Sequence, residues 1–122
     1  MKETILNLPY PPTVNTYWRN ISNKGRPRVL ISKKGREYRQ GVHYILNTCD
    51  IPDFGDDKLK VSISVNPPDK RRRDLDNLPK AVLDALQKAG VYTDDSNIDD
   101  LRIVRQEVIK GGGIQVHIEA MG

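Results

Sequence analysis

The sequence predicts an α+β domain of two layers, with two helices packed on one face of a mixed or mostly antiparallel sheet of about five strands. Residues 58–65 alternate strictly between polar and apolar side chains, which is typical of a strand with one buried face. Residues 33–48 and 77–89 instead repeat their apolar side chains at helical spacing. No repeat or linker divides the 122 residues, so residues 1–122 are predicted to form a single domain with one core.

The first half of the chain predicts two strands and one helix. Glu3–Leu8 forms a short strand that prolines 9, 11 and 12 bring to an end. Residues 13–24 show no clear period and are predicted as a loop, and Arg28–Ile31 is a second strand. Ser32 suits the N-cap of the helix Lys33–Thr48. The apolar stripe of this helix comprises Tyr38, Val42, Ile45, Leu46 and Cys49.

The second half predicts three strands and one helix. The alternating run at 58–65 is followed by the helix Asn77–Ala89, with Asp76 as its N-cap and Gly90 just beyond its end. Leu101–Ile109 and Ile114–Ala120 form the last two strands, joined by a glycine-rich turn. The predicted order is therefore β, β, α, β, α, β, β. His117 alternates onto the polar face of the last strand and is interpreted as a surface residue.

The composition excludes several classes of function. No apolar run approaches the roughly 20 residues that span a bilayer, and the N-terminus lacks a signal pattern, so we expect a cytoplasmic protein without a membrane partner. One cysteine allows no internal disulfide, and two histidines are too few for a histidine-rich zinc site. We expect no organic cofactor.

Charge is distributed unevenly along the chain. The formal net charge is +4, but residues 1–50 carry nine Lys or Arg and three Asp or Glu, a net of +6. Residues 51–122 carry eleven Lys or Arg and thirteen Asp or Glu, a net of −2. A basic first half and a second half rich in carboxylates suit nucleic-acid binding beside a metal site. Ordinary solvated charge is the alternative that composition alone leaves open.

The most informative stretch is residues 70–80. Four consecutive cations, Lys70, Arg71, Arg72 and Arg73, run directly into Asp74 and Asp76. Like charges at this density repel, so folding alone does not account for them. A cationic surface beside paired carboxylates suits a polyanion held next to a divalent metal, which indicates a nuclease. Helix capping and neutralisation of the arginines are the alternative roles of the two carboxylates.

Mg²⁺ prefers hard oxygen ligands, and one to three carboxylates with substrate phosphate oxygens are a usual site. If residues 73–76 are extended, Asp74 and Asp76 project to the same side and Leu75 points into the core. The candidates for a third ligand are Asp94, Asp95, Asp99 and Asp100. Thirteen helical residues rise about 20 Å and six extended residues span at most about 20 Å, so Asp95 reaches the other two only if residues 91–94 run back nearly straight. A site completed across a dimer stays open.

Lys80 follows Asp76 by four residues, one helical turn if both lie on the helix. There its ammonium could stabilise the transition state of phosphodiester hydrolysis or protonate the leaving oxygen. An ordinary Asp–Lys pair on a helix is the alternative.

Residues 13–24 combine amides, aromatics and a cation. Asn15 and Arg19 are predicted to contact the sugar-phosphate backbone of a nucleic acid. Tyr17 and Trp18 either stack on bases or pack on the edge of the core.

Several motifs together resemble the RusA family of Holliday-junction resolvases, and the resemblance covers nearly the whole chain. The central motif is Arg71-Arg72-Arg73-Asp74-Leu75-Asp76-Asn77-Leu78 with Lys80, followed by Asp84-Ala85-Leu86, Lys88-Ala89-Gly90 and Asp94-Asp95. The opening Leu8-Pro9-Tyr10-Pro11-Pro12-Thr13-Val14-Asn15 and the Lys110-Gly111-Gly112 turn before the last strand are also similar to that family.

The resemblance implies a homodimeric, Mg²⁺-dependent endonuclease that resolves four-way DNA junctions by paired symmetric nicks in recombination and repair, with Mn²⁺ as a possible substitute metal. It implies that Asp74, Asp76 and Asp95 bind the metal and that Lys80 is the essential lysine. The residues implied to touch DNA are Thr13, Val14, Asn15, Thr16, Lys70, Arg71, Arg72, Arg73 and Asn77, in addition to Arg19 above. Two alternatives are a nuclease acting on flaps or forks and a non-catalytic nucleic-acid-binding module.

Overall fold

The computed structural model describes residues 2–23 and 25–122, and only the backbone of residues 22, 23 and 27. Strands and helices follow the chain as β1 (Glu3–Leu8), α1 (Val14–Tyr17), β2 (Trp18–Asn23), β3 (Arg26–Ile31), α2 (Lys33–Asn47), β4 (Leu59–Asn66), α3 (Pro79–Lys88), β5 (Ile98–Arg105) and β6 (Gly113–Ala120). Two 3-10 turns, Leu75–Asn77 and Asp95–Asn97, precede α3 and β5.

Four strands form a mixed sheet in the order β1-β6-β4-β5. β6 pairs antiparallel with both β1 and β4, whereas β4 and β5 are parallel and are joined through α3. β2 and β3 form a separate two-stranded antiparallel hairpin. The α+β class and the mixed sheet of the prediction are confirmed.

One face of the sheet and the apolar stripes of α2 and α3 form the core. The alternating positions of β4 are fully buried, and α3 contributes an almost continuous buried surface. The buried side chains of these two elements are Leu59, Val61, Ile63, Val65, Ala81, Val82, Leu83, Ala85 and Leu86. The opposite face of β4 stays half-exposed. The two-layer prediction therefore holds for α2, α3 and the four-stranded sheet.

The first predicted strand is confirmed at its predicted bounds, and the N-cap of α2 is confirmed because Ser32 Oγ accepts a hydrogen bond of 2.9 Å from the Gly35 amide. The loop predicted at 13–24 is wrong, since it contains α1 and β2, and the described chain has six strands rather than about five. β5 spans Ile98–Arg105 instead of 101–109. Cys49 lies beyond the end of α2 and is exposed.

The start of α3 also differs from the prediction. Asp76 does not cap the helix, because the cap position is Leu78, which offers no side-chain acceptor, and Pro79 opens the first turn. Proline is tolerated there, since the first helical amides lack an intrahelical partner. Gly90 does follow the helix with a positive φ of 85°, as expected of a residue that ends a helix in the left-handed region.

Within the described residues, no helix combines the length and apolar character needed to cross a bilayer.

Candidate active site

A cleft of about 890 Å³ opens where the chain leaves β4. Pro67 and Pro68 end the strand, and residues 69–76 then form one wall of the cleft. Arg105 at the end of β5 and residues 106 and 108 beyond it form another. The charged residues that line it are Asp69, Lys70, Arg71, Arg72, Arg73, Asp74, Asp76 and Arg105. The basic run and the two carboxylates of the predicted motif therefore share one concave surface.

Asp69 organises the basic run. Its Oδ1 accepts a hydrogen bond of 2.8 Å from the Arg71 amide and one of 2.7 Å from Arg73 Nη1. These bonds, the Arg73 bond foremost, lower the pKa of the Asp69 carboxyl to about 2. The Arg73 guanidinium also lies 5.8 Å from the centre of the Tyr10 ring. Sequence reasoning missed Asp69, although its spacing of four residues from Arg73 was a usable signal.

The four cations of the run differ in what surrounds them. Lys70, Arg71 and Arg72 are exposed, whereas the Arg73 side chain is only 19% exposed and is engaged by Asp69 and Tyr10. Arg73 therefore shapes the loop, and its predicted contact with DNA stays a prediction. The other three present their charge to solvent.

Asp74 and Asp76 are exposed and line the same cleft. The expectation of an extended segment at 73–76 is wrong in its second half, because only Asp74 is extended, with φ −87° and ψ 131°, and Leu75–Asn77 forms a 3-10 turn. The alternation of side chains along a strand therefore does not explain how the two carboxylates lie relative to each other. Leu75 packs against the core as expected and fixes the turn.

The N-terminal motif lies beside this turn. A smaller cavity of about 440 Å³ is lined by Thr13, Arg72, Arg73, Asp74, Asn77 and Leu78. Thr13 caps α1 by accepting a hydrogen bond from the Thr16 amide, and Asn15 and Thr16 are exposed. Val14 is half-buried, and Arg19 is exposed on β2. Two segments separated by some 60 residues thus meet at Asp74, as a shared DNA-contacting site requires.

Asp95 approaches from the other end of β4. It precedes β5, whose first residue Ile98 pairs with Leu59 at the start of β4, whereas Asp74 follows the end of β4. Its amide donates a hydrogen bond of 3.1 Å to the Gln87 side chain near the end of α3. Within one chain, Asp74, Asp76 and Asp95 do not bring their carboxylate oxygens within 4.8 Å of one another. The three carboxylates thus do not meet in one subunit of this structure, and their shared binding of a metal stays a prediction.

The environment of Asp95 disfavours its negative charge. Partial burial raises the pKa of its carboxyl, and the nearby carboxylates of Asp94 and Asp84 raise it further. Lys80 acts in the opposite direction and is the cation that faces Asp95. Lys80 is exposed as the second residue of α3, three residues beyond the turn that carries Asp76.

A group with metal-ligand chemistry lies elsewhere, on the outer face of the sheet. His117 Nε2 lies 3.5 Å from a Glu119 oxygen and 4.0 Å from a Glu3 oxygen, and in the described residues this trio is the only set of three ligand atoms within 4.8 Å of one another. His117 is half-buried rather than a freely exposed surface residue. Its two glutamate neighbours have side chains 53% and 33% exposed, and the trio lies on the face of the sheet opposite the core, away from the cleft.

Comparison with known proteins decides the family. Residues 9–119 match the family model described as endodeoxyribonuclease RusA. The chain belongs to the RusA endodeoxyribonuclease family. It is 39% identical over 118 residues to the crossover junction endodeoxyribonuclease of Enterobacteria phage HK97, covering 97% of this chain and 95% of that protein. It is 42% identical over 117 residues to the crossover junction endodeoxyribonuclease RusA of Escherichia coli K12, covering 96% and 94% of the two chains. The resemblance identified from the motifs is thereby confirmed.

The RusA-family chain also contains a charged network that sequence reasoning did not find. Asp84 Oδ2 accepts hydrogen bonds from the Tyr17 hydroxyl and from Arg39 Nε at 2.9 Å, and it lies 2.7 Å from Arg39 Nη2. The Arg39 guanidinium lies 5.7 Å from the ring centres of both Tyr17 and Trp18. The network ties α1, α2 and α3 together. Its members lie up to 67 residues apart, so no local pattern signals it.

The same network bears on the two roles predicted for Tyr17 and Trp18, stacking on bases or packing on the edge of the core. Tyr17 is completely buried, and burial together with the Asp84 carboxylate raises the pKa of its hydroxyl. Trp18 packs against the core and meets the Tyr17 ring edge-on at 4.9 Å. Tyr17 is therefore not available for base stacking, whereas Trp18 packs on the edge of the core and stays partly exposed. Arg105 is a further cleft residue that the sequence reasoning missed; its Nη2 donates to the Arg73 carbonyl and closes the wall beyond β5.

Proposed function

We propose that this chain is a Mg²⁺-dependent endonuclease that resolves four-way DNA junctions by paired symmetric nicks, in recombination and repair. One observation carries the proposal: the exposed cations Lys70, Arg71 and Arg72 and the exposed carboxylates Asp74 and Asp76 line a single cleft. The cations bind phosphates on either side of the cut, and the carboxylates lie where a metal is needed. The two named relatives are both crossover junction endodeoxyribonucleases, which favours the junction as the substrate. Such a substrate places the protein in the cytoplasm.

The chemistry of the carboxylates fits a hard divalent cation. Asp74 and Asp76 offer exposed oxygen ligands, which Mg²⁺ prefers and Mn²⁺ also accepts. Asp95 would supply a third carboxylate, and a cation bound there would offset the burial and the neighbouring carboxylates of Asp94 and Asp84 that raise its pKa. When bound, the ion lowers the pKa of a water molecule and neutralises charge that builds on the phosphate.

The chain's own residues would position the substrate and handle its charge. Lys80 faces Asp95 and stands next to the turn that carries Asp76, so its ammonium is placed to stabilise the anionic transition state or to protonate the leaving oxygen. Thr13 and Asn77 line the cavity beside Asp74, where they can hydrogen-bond to the sugar-phosphate backbone. These contacts fix the scissile phosphate relative to the carboxylates.

We infer that the working form is a homodimer. Two symmetric incisions across a junction need two sites related by a two-fold axis, and a C2 dimer supplies them. A dimer would also give Asp95 a second way to reach Asp74 and Asp76, because the three do not converge within one chain. Sedimentation of the protein with and without junction DNA tests this inference. A monomer under both conditions would contradict it.

Asp74→Asn tests the site. The variant should bind a four-way junction with wild-type affinity and fail to cut it in Mg²⁺ or Mn²⁺, because it keeps the shape of the side chain and loses a charged ligand. Asp56→Asn is the matched control, since Asp56 is an exposed aspartate in the turn before β4, outside the cleft, and it should cut normally. Undiminished cutting by Asp74→Asn would remove the site assignment. Equal cutting of forks and junctions would favour the flap or fork nuclease, and salt-dependent binding without any cutting would favour a non-catalytic binding module.

A further inference from the structure

The hairpin of β2 and β3 stands apart from the main sheet. It forms its own two-stranded sheet and has no strand pairing with β1, β4, β5 or β6 in the described chain. Isolated two-stranded hairpins are marginally stable in water, so some other interaction must hold this one in place. Neither the packing of the fold nor the cleft explains which residues lie on the exposed surface of the hairpin.

The base of the hairpin is firmly anchored. The Ser32 amide and hydroxyl both donate to the Tyr17 carbonyl, each at 2.9 Å, which joins the end of β3 to the end of α1. The first turn of α2 approaches so closely that a Cβ on Gly35 would lie 2.5 Å from that carbonyl oxygen. Trp18 and Ile31, paired across the base, pack against the core.

The pairing register places three arginines on one face of the hairpin. Arg19 lies opposite Leu30, Ile21 opposite Arg28, and residue 23 opposite Arg26. Residues directly opposite share a face, and alternate residues along a strand return to it, so Arg19, Arg26 and Arg28 form one row. All three are exposed. Trp18 and Ile31, which lie opposite each other where the hairpin begins, are on the other face.

No acidic side chain balances this row. The sequence from residue 4 to residue 36 contains seven Lys or Arg and no Asp or Glu. Among the described residues, none of Arg19, Arg26 and Arg28 forms an ion pair. A row of uncompensated cations favours a polyanionic partner.

The hairpin begins beside the cleft. Thr13, which lines the cavity with Asp74, caps α1, and α1 leads directly into β2. A six-residue strand spans about 20 Å, which corresponds to about six steps of 3.4 Å along a DNA strand. A two-stranded ribbon also fits the width of the major groove of B-DNA.

We propose that the face of the hairpin bearing Arg19, Arg26 and Arg28 binds the phosphate backbone of a DNA arm next to the cut site. The inference rests on the proposed function, because it takes the occupant of the cleft to be DNA. It assigns the hairpin to holding one duplex arm while the residues of the cleft act on the neighbouring phosphate.

The test uses Arg19→Ala/Arg26→Ala/Arg28→Ala in the Asp74→Asn background, so that binding to a labelled four-way junction is measured without cutting. Three lost phosphate contacts should reduce the slope of log affinity against log salt by about 2.7, at about 0.9 per contact. Between 50 and 200 mM salt the parent should then lose about 40-fold more affinity than the triple variant. The double variant Arg26→Ala/Arg28→Ala, which leaves the base of the hairpin unchanged, should reduce the slope by about 1.8.

The matched control is Lys58→Ala/Lys88→Ala/Arg102→Ala, which removes the same charge from exposed positions outside the hairpin and the cleft. Its salt slope should stay within about 0.5 of that of the parent. A parental slope in the arginine variants, or an equal loss in the control, would overturn the proposal for the hairpin. If the wild-type protein neither binds nor cuts the junction, the proposed function fails and the hairpin proposal fails with it. If the wild-type protein cuts the junction and the arginine variants keep the parental salt slope, only the hairpin proposal is overturned.

Discussion

Replacing Asp84 with alanine should destabilise the fold strongly, because its carboxylate joins the three helices α1, α2 and α3. One oxygen of Asp84 accepts from the Tyr17 hydroxyl and from Arg39, and the Asp84 and Arg39 side chains are only 18% and 25% exposed. Breaking a fully buried ion pair costs about 3–5 kcal/mol, and a hydrogen bond to a charged group contributes about 1.5–3 kcal/mol. Allowing for partial exposure, we expect a loss of about 2–4 kcal/mol.

Urea unfolding followed by circular dichroism measures this loss, and thermal unfolding should show a midpoint lower by about 8–16 °C. The matched control is Asp100→Ala, which breaks an exposed Asp–Arg pair with Arg102 on β5 and should cost no more than about 0.5 kcal/mol. A double-mutant cycle of Asp84→Ala with Arg39→Ala should give a coupling energy of about 1–3 kcal/mol. A loss no larger than that of the control, or a coupling near zero, would refute the role assigned to the network.

Two further substitutions test other parts of the molecule. Gly35→Ala should lower the free energy of unfolding by about 1–3 kcal/mol, because its Cβ would lie 2.5 Å from the Tyr17 carbonyl oxygen. The control Gly41→Ala, which has open space around it in the same helix, should be neutral or stabilising. Equal urea midpoints for the two variants would contradict the close approach at Gly35. Asp95→Asn should abolish cutting yet raise the melting temperature by about 1–4 °C at pH 7, since it removes a charge that partial burial disfavours and that Asp94 and Asp84 repel. That gain should shrink as the pH falls through the raised pKa of Asp95, where the wild-type carboxyl takes up a proton and its penalty is relieved. A lower melting temperature than wild type at pH 7 would contradict this account.

Regular, half-buried elements could be predicted from the sequence. β4 was predicted within one residue, because each of its alternate side chains is buried and each intervening one reaches solvent. Of the hairpin, β3 was predicted at 28–31, two residues short at its start, and β2 was missed for the corresponding reason. Most of its described side chains are exposed or half-exposed on both faces, so no period of two develops. α1 has four residues, too few for a helical period.

The residues of the candidate site likewise divide into those that the sequence predicted and those that it did not. Lys70–Asp76 could be assigned to one surface because the residues are contiguous, and the cleft brings them together. Asp69 was missed although it is contiguous with the run, whereas Arg105 needed the fold, since the end of a parallel strand brings it to the cleft. Asp95 shows the limit of a reach estimate. Chain length allowed it to approach Asp74, but hydrogen bonding to Gln87 and the start of β5 hold it near the other end of α3.

The central claim is that this cleft cuts four-way junctions in pairs. The most direct measurement incubates the wild-type protein and Mg²⁺ with a four-way junction labelled on each strand in turn and maps every nick to the nucleotide. We expect two nicks on opposed strands at positions related by the two-fold symmetry of the junction, none without a divalent metal, and little cutting of linear duplex of the same sequence. Nicks at unrelated positions on single strands, or equal cutting of the linear duplex, would contradict the account.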